Sequence, residues 1–368
     1  MIVWFGKVKQ IKDSGEKIIN VSDETYSTNV VFVNQNLVLD GTDKEIQNLS
    51  FNDGIYSVGN PNVDTGKENE NAKNMAILKV NGDLIINEGV TLTACKNPEG
   101  YGGTKGLLIF CTGRIINNGK ISMTERGAKA EGQNVYLWKN TDDTYEYVPA
   151  QGEMGGEGFT GPEVCPGISA NRIYFGNTGT DAQGRKTGGG GAGSAHVWEA
   201  TITKVGSGSA GTSYSGGTGG GASSGYRGYV KSGYDALTNG GKGGAGGEQT
   251  FESLLPTGGA GNPNGDSYNS VNSTKSGTGG LLMIYAEQVL GDTGIIESNG
   301  SMAENQWACT GGGSGAGSIN IFTKSFSEKI QVTAIGVTND NSKAPGGRGG
   351  NGSITIGDVS TGSFIQSN

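Results

Sequence analysis

The chain has 368 residues, of which 70 are glycine and 8 proline; 33% are hydrophobic and the formal charge is −8. Glycine far above its usual share of roughly 7%, with little proline and no sustained Gly-X-Y period, excludes a collagen triple helix. So thin an apolar fraction makes a conventional core a poor offset for glycine's backbone entropy, and without a basic stripe nucleic acid is excluded as a partner.

The start, MIVWFGKVKQIKDSGEK, has no basic n-region and is read as carrying no secretory signal. Residues 1–74 read as a β-rich segment: KIINV, NVVFVNQNLVL and GIYSV are apolar or alternating and are bounded by Asp, Asn and Gly. The polar stretch 61–74 closes it as a loop. From 75 to 183 the texture becomes solenoid-like. MAILKVNGDLIINEGVTLTA and KGLLIFCTGRIINNGKISM are short strands separated by Asn-Gly or Glu-Gly corners, where φ > 0 is wanted. Apolar clusters of this length between corners suit strands that stack on the rounds above and below, as in a parallel β-solenoid.

The block beginning at Gly106 (GLLIFCTGRIINNGKIS) recurs at Gly280 (GLLMIYAEQVLGDTGIIES). Matching Leu-Leu, Ile115-Ile116 with Val289-Leu290, and Ile121 with Ile295 predicts that both blocks belong to one continuous stack. Residues 281–368 return to strands: GSINIF, KIQVTAI and GSITIG. No apolar run, LLMIYA included, is long enough to span a bilayer, so membrane insertion is not expected.

Between the blocks, 184–280 holds 30 glycines, gathered in runs at 188–193, 216–221, 240–247, 258–261 and 277–280. Two further runs lie at 311–317 and 346–352. Flexible linkers are one reading. Recurring blocks alternating with aromatic-bearing loops favour the other, polyglycine II helices bonded backbone to backbone where side chains are absent. The expected fold is all-β, a parallel β-solenoid-like core with a layer of polyglycine II helices.

Most site chemistry fails on residue type. His196 is the single histidine, so a multi-His metal centre is excluded and a Ser-His-Asp triad would have to pass through it. Lys242 sits in GGKGGAGG and is followed by Gly, which lacks the magnesium hydroxyl of a phosphate loop. GGRGGNGSI puts Asn351 where a calcium nonapeptide carries Asp. Neither a metal nor a cofactor is expected. Cys95, Cys111, Cys165 and Cys309 are irregularly spaced and read as buried free thiols. Asp142, Asp143, Glu146, Glu153 and Glu157 could supply a glycosidase pair but read as solvated loop acids.

Aromatic placement is the more informative feature. Trp198, Tyr214, Tyr226, Tyr229, Tyr234, Phe251 and Tyr268 fall between glycine runs, in Ser/Asn/Thr-rich company. Tyrosine gives rigid amphipathic contact while serine and asparagine adapt by hydrogen bonding; some of the rings would instead cover the glycine layer. With Arg227, all but Phe251 form the candidate binding set, and 224–236 is its richest loop.

Glycine-only runs alternating with polar-aromatic loops over 184–352 resemble the polyglycine-sandwich adhesins at the tips of bacteriophage long tail fibres. The GLLIFC and GLLMIYA blocks resemble pectin-lyase-like stretches of bacterial and phage surface proteins. The resemblance implies a non-enzymatic virion tail protein, made in the bacterial cytoplasm, whose loops contact a bacterial surface glycan or protein. Residues 1–74 would attach it to other tail proteins, with a homotrimer as one admissible assembly. A purely structural tail protein and a polysaccharide depolymerase are the alternatives.

Overall fold

The computed structural model describes residues 30–59, 76–95, 106–126, 279–300, 313–337, 348–358 and 361 in full, and Met75 and a further set of strands by backbone pairing. Regular structure among the described residues is β, with no helix.

Strands come in trios of constant order. The first round holds β1 (Val30–Val33), β2 (Leu37–Leu39) and a hairpin of β3 (Leu49–Asn52) with β4 (Ile55–Val58). The second holds β5 (Met75–Val80), β6 (Leu84–Ile86) and β7 (Thr91–Ala94); the third holds β8 (Gly106–Cys111), β9 (Arg114–Asn117) and β10 (Lys120–Ser122). An excursion then carries β11 (Gly132–Lys139), β12 (Tyr145–Val148), β13 (Glu163–Val164), β14 (Ile173–Phe175), β15 (Ser194–His196), β16 (Ser223–Ser224) and β17 (Ala236–Gly241). The fourth round is β18 (Leu281–Tyr285), β19 (Gln288–Leu290) and β20 (Ile295–Glu297), followed by the short β21 (Asn305–Gln306) and β22 (Cys309–Thr310). The fifth is β23 (Ser318–Thr323), β24 (Ser325–Phe326) and β25 (Gln331–Thr333); β26 (Ser353–Asp358) and β27 (Ser363–Ser367) close the chain.

Like positions pair with like. Sheet 1 runs β1-β5-β8-β18-β23-β26-β27, sheet 2 runs β2-β6-β9-β19-β24, and sheet 3 runs β25-β20-β10-β7-β4-β3. Pairing is parallel except for β3 on β4 and β27 on β26. This is an all-β arrangement of parallel sheets, compatible with a β-solenoid-like fold.

Side chains alternate across a strand, so each round sends the same positions inward. Val31, Leu78, Ile109, Ile284 and Ile321 stand in register along sheet 1. Leu37, Leu84, Ile115 and Val289 do so along sheet 2, and Tyr56, Leu92, Ile121 and Ile296 along sheet 3. All are buried in one cluster. Full burial of a large aliphatic side chain contributes about 1.5–3 kcal/mol, and few residues per round are needed to build the ladder.

One end of the stack is closed locally. Asp53 and Gly54, both at positive φ, make the two-residue turn of the β3–β4 hairpin. The loop before it is held by the Tyr56 hydroxyl, which donates to the Thr42 carbonyl and accepts from the Gly41 amide, while Ile46 and Leu49 cover the core.

The corner between sheet 3 and sheet 1 is built differently. Segments 298–300, 313–317, 334–337 and 348–352 lie outside the strands yet bond to one another through their backbones. Gly317 N–H donates to Ser298 O (2.9 Å), Gly300 to Ile335 O (3.1 Å), Ala316 to Gly350 O (3.0 Å), Gly349 to Val337 O (2.9 Å) and Gly352 to Ala334 O (2.9 Å). A Cβ on Gly349 or Gly352 would overlap the carbonyl of Ser314 or Gly317, so the chains approach this closely only because side chains are missing.

The two resembling blocks are direct neighbours: β8 pairs β18, β9 pairs β19 and β10 pairs β20. The register differs from the textual match in two of the three strands. Leu282, not Leu281, stands opposite Leu107, and Ile296, not Ile295, opposite Ile121. Inward burial sets the pairing; the surplus residue is taken up at the corners. Cys95 and Cys111 are buried and form no disulfide, and burial raises the Cys111 thiol pKa.

Candidate functional site

The excursion leaves and returns at one corner because β10 and β18 belong to adjacent rounds. Its outgoing foot is pinned to the end of β20: Met123 N–H donates to Glu297 O (2.8 Å) and Glu125 N–H to Asn299 O (3.2 Å), and Asn299 N–H donates to Thr124 Oγ1 (3.0 Å). Its returning foot is held by Gly280 N–H on Met123 O (2.9 Å), by Gly279 N–H on Gly315 O (3.1 Å), and by Ser298 Oγ donating to Gly280 O (2.6 Å). Both feet are anchored within a few residues of each other.

Inside the excursion, β11 pairs antiparallel with β12 and β17. β13, β14, β15 and β16 form a second sheet that continues into β22 and β21. Ser223 and Ser224 of β16 stand opposite Thr310 and Cys309 of β22, so the excursion is also tied to the connection between the fourth and fifth rounds.

The predicted binding residues Trp198, Tyr214, Tyr226, Arg227, Tyr229, Tyr234 and Tyr268 lie outside the described residues, as do Phe251, Asp142, Asp143, Glu153, Glu157 and Lys242. His196 stands opposite Ile173, and Glu146 opposite Trp138, as backbone partners.

Beside the feet, the outer face of sheet 3 carries a polar ladder that sequence reading missed. Ser57, Thr93, Ser122, Glu297 and Thr333 stand in register. Glu297 Oε1 accepts from Ser122 Oγ at 2.9 Å and faces Lys120 Nζ at 3.4 Å. Arg126 Nε donates to Thr93 Oγ1 at 3.2 Å, and burial lowers the guanidinium pKa. The signal was present as alternation within TLTA, KIS and IIE, but only stacking aligns the hydroxyls and charges. Thr93 and Ser122 are themselves buried, their hydroxyls engaged by Arg126 and Glu297; Glu297, held by Lys120 and Ser122, is a fixed acceptor.

The outer face of sheet 1 has the opposite character. Phe32, Lys79, Phe110, Tyr285 and Phe322 stand in register along it. Lys79 Nζ lies 5.3 Å over the Phe32 ring, and Tyr285 stacks on Phe322 at 4.9 Å.

Among the described residues no group of three or more His, Cys, Asp or Glu is placed to hold a metal ion. No known protein family matches the chain, and neither a curated protein nor a solved structure does.

Proposed function

We propose that the chain is a receptor-binding protein of a bacteriophage tail, a β-solenoid with a glycine layer whose excursion displays loops to a bacterial surface glycan or protein. The observation that carries the reading is the pairing of β10 with β20 and β8 with β18 across the excursion. A scaffold that closes its rounds around a long insertion, and pins both of its feet, holds that insertion as a presented module.

The glycine layer is supported by the corner chains at 313–317 and 348–352. They bond backbone to backbone and leave no room for a Cβ at Gly313, Gly317, Gly349 or Gly352, and runs of like composition recur at 188–193, 216–221 and 240–247. Recognition is assigned to Trp198, Tyr214, Tyr226, Arg227, Tyr229, Tyr234 and Tyr268, whose tyrosine-rich setting suits adaptable polar contact. Residues 1–74 would join other tail proteins.

The test is binding of the purified full chain to intact candidate host cells, compared with a variant carrying Tyr226→Ala, Tyr229→Ala and Tyr234→Ala. The reading expects cell binding to fall by at least about tenfold, equivalent to about 1.4 kcal/mol, with thermal unfolding unchanged. Undiminished binding by the variant, or no binding by the parent to any host, would overturn it.

A further inference from the structure

An asparagine followed by glycine loses its side-chain amide readily, because no Cβ shields the glycine nitrogen that attacks it. Among the described residues the pair stands at four corners: Asn81-Gly82, Asn118-Gly119, Asn299-Gly300 and Asn351-Gly352. The glycine nitrogen must shed its proton and swing onto the asparagine Cγ. A hydrogen bond on that N–H must first be broken, and burial disfavours the charged, deprotonated nitrogen. A carboxamide tied to a neighbouring round cannot turn to meet the attack.

Three of the corners are closed in all these ways. Gly119 N–H donates to Ile86 O (3.1 Å), Gly300 N–H to Ile335 O (3.1 Å) and Gly352 N–H to Ala334 O (2.9 Å). Asn118 Oδ1 accepts from Asp292 N–H (3.1 Å), Asn299 Oδ1 from Ile335 N–H (2.8 Å) and Asn351 Oδ1 from Gly336 N–H (3.2 Å). Gly119, Gly300 and Gly352 are all buried. Asn81-Gly82 differs on each count. Gly82 is only half-buried. Neither its N–H nor Asn81 Oδ1 has a hydrogen-bond partner among the described residues. The carboxamide is tethered only by Nδ2 donating to Asn34 Oδ1 at 2.9 Å, an exposed bond between two side chains.

We infer that Asn81 is a site of spontaneous deamidation, selected by the fold, at the junction of the first two rounds. Gly82 N gives its proton to solvent base and bonds to Asn81 Cγ. The Cγ–Nδ2 bond breaks and ammonia leaves, closing a succinimide ring. Water then opens the ring at either carbonyl and leaves aspartate or isoaspartate, so water is the sole co-reactant. Either product loses the Nδ2 donor to Asn34. Isoaspartate also lengthens the main chain beside Gly82, whose carbonyl accepts from Gly113 N–H (3.0 Å) and whose Cβ position is filled by Asn36. Conversion therefore loosens the corner that ties the second round to its neighbours, whatever the chain recognises.

The experiment holds the full chain folded in mildly alkaline buffer made with oxygen-18 water and follows each pair by peptide mass spectrometry. The heavy oxygen separates new conversion from any present at purification, and a parallel sample is kept in concentrated denaturant. In the folded chain Asn81 is expected to convert at least about tenfold faster than Asn118, Asn299 or Asn351, since each of those must first break a backbone hydrogen bond. In denaturant the four rates are expected to converge. Equal rates in the folded chain, faster conversion at any of the other three, or the same ordering in denaturant overturns the assignment. So does an Asn81 that converts only when unfolded.

Discussion

At Gly352, any Cβ would overlap the carbonyl of Gly317 in the adjoining corner chain. The obstruction is backbone, which cannot rotate away. Gly352→Ala is therefore expected to destabilise the protein by about 1–3 kcal/mol or more, read as a lower denaturant midpoint. Gly89 is a useful contrast. Its φ is +78° but a methyl group added there would meet nothing within 4 Å, so Gly89→Ala should cost only the left-handed strain of about 1–2 kcal/mol. At Asp83 the effect is electrostatic. Hydrogen bonds from Arg114, at 2.6 Å to the carboxylate, hold its pKa below the ordinary 3.8. A lowered acid stabilises the fold above its unfolded pKa, and that contribution is lost as pH falls through the folded value. Asp83→Asn should therefore flatten the fall in stability below about pH 4, with a small effect because the pair is partly exposed. A pH titration of the unfolding midpoint in both proteins checks this.

At the level of strands, inward and outward positions predict opposite responses. Ile109 lies between Leu78 and Ile284 in the buried ladder, and Ile109→Ala should cost about 2–5 kcal/mol because neighbouring rounds cannot collapse into the gap. Val38, outward on sheet 2 and 38% exposed, should tolerate Val38→Thr within about 0.5 kcal/mol. Denaturant unfolding of both variants tests the assignment; comparable losses would mean the register is wrong. Strand existence was legible from the sequence at 75–94 and 105–123, where Asn-Gly corners bound apolar clusters. The Asp53-Gly54 hairpin signal was also present, though GIYSV was read only as a strand. Register was not legible: aligning Gly106 with Gly280 is the best textual match, but parallel pairing follows which side chains face inward.

Across the whole molecule, the sheets run through the compositional change at residue 75, since β1 and β2 pair with β5 and β6. They also run across the excursion, where residues distant in sequence become adjacent. Exposed inter-round ion pairs such as Glu287–Lys324 at 3.2 Å and Asp292–Lys329 at 2.7 Å contribute little stability individually; they mark register more than they strengthen it. The tyrosine-bearing stretches between glycine runs were visible as composition. The hydroxyl ladder of sheet 3 and the aromatic row of sheet 1 were not, because each round contributes only one member and the rows exist only once rounds are stacked.

By itself the amino-acid sequence determined where the short strands and glycine-dependent corners of 75–94 and 105–123 lie, and that two distant blocks share one pattern; it did not place the strands at 132–148 or 236–241, which read as loop and glycine run. Those properties are local: alternation, turn chemistry and missing side chains act within a few residues. Which strands became neighbours and which residue faced which were decided by the tertiary structure. Backbone hydrogen bonds between parallel strands are nearly blind to residue identity, so partner and register are chosen by simultaneous burial of all the inward rows, a condition no single segment contains.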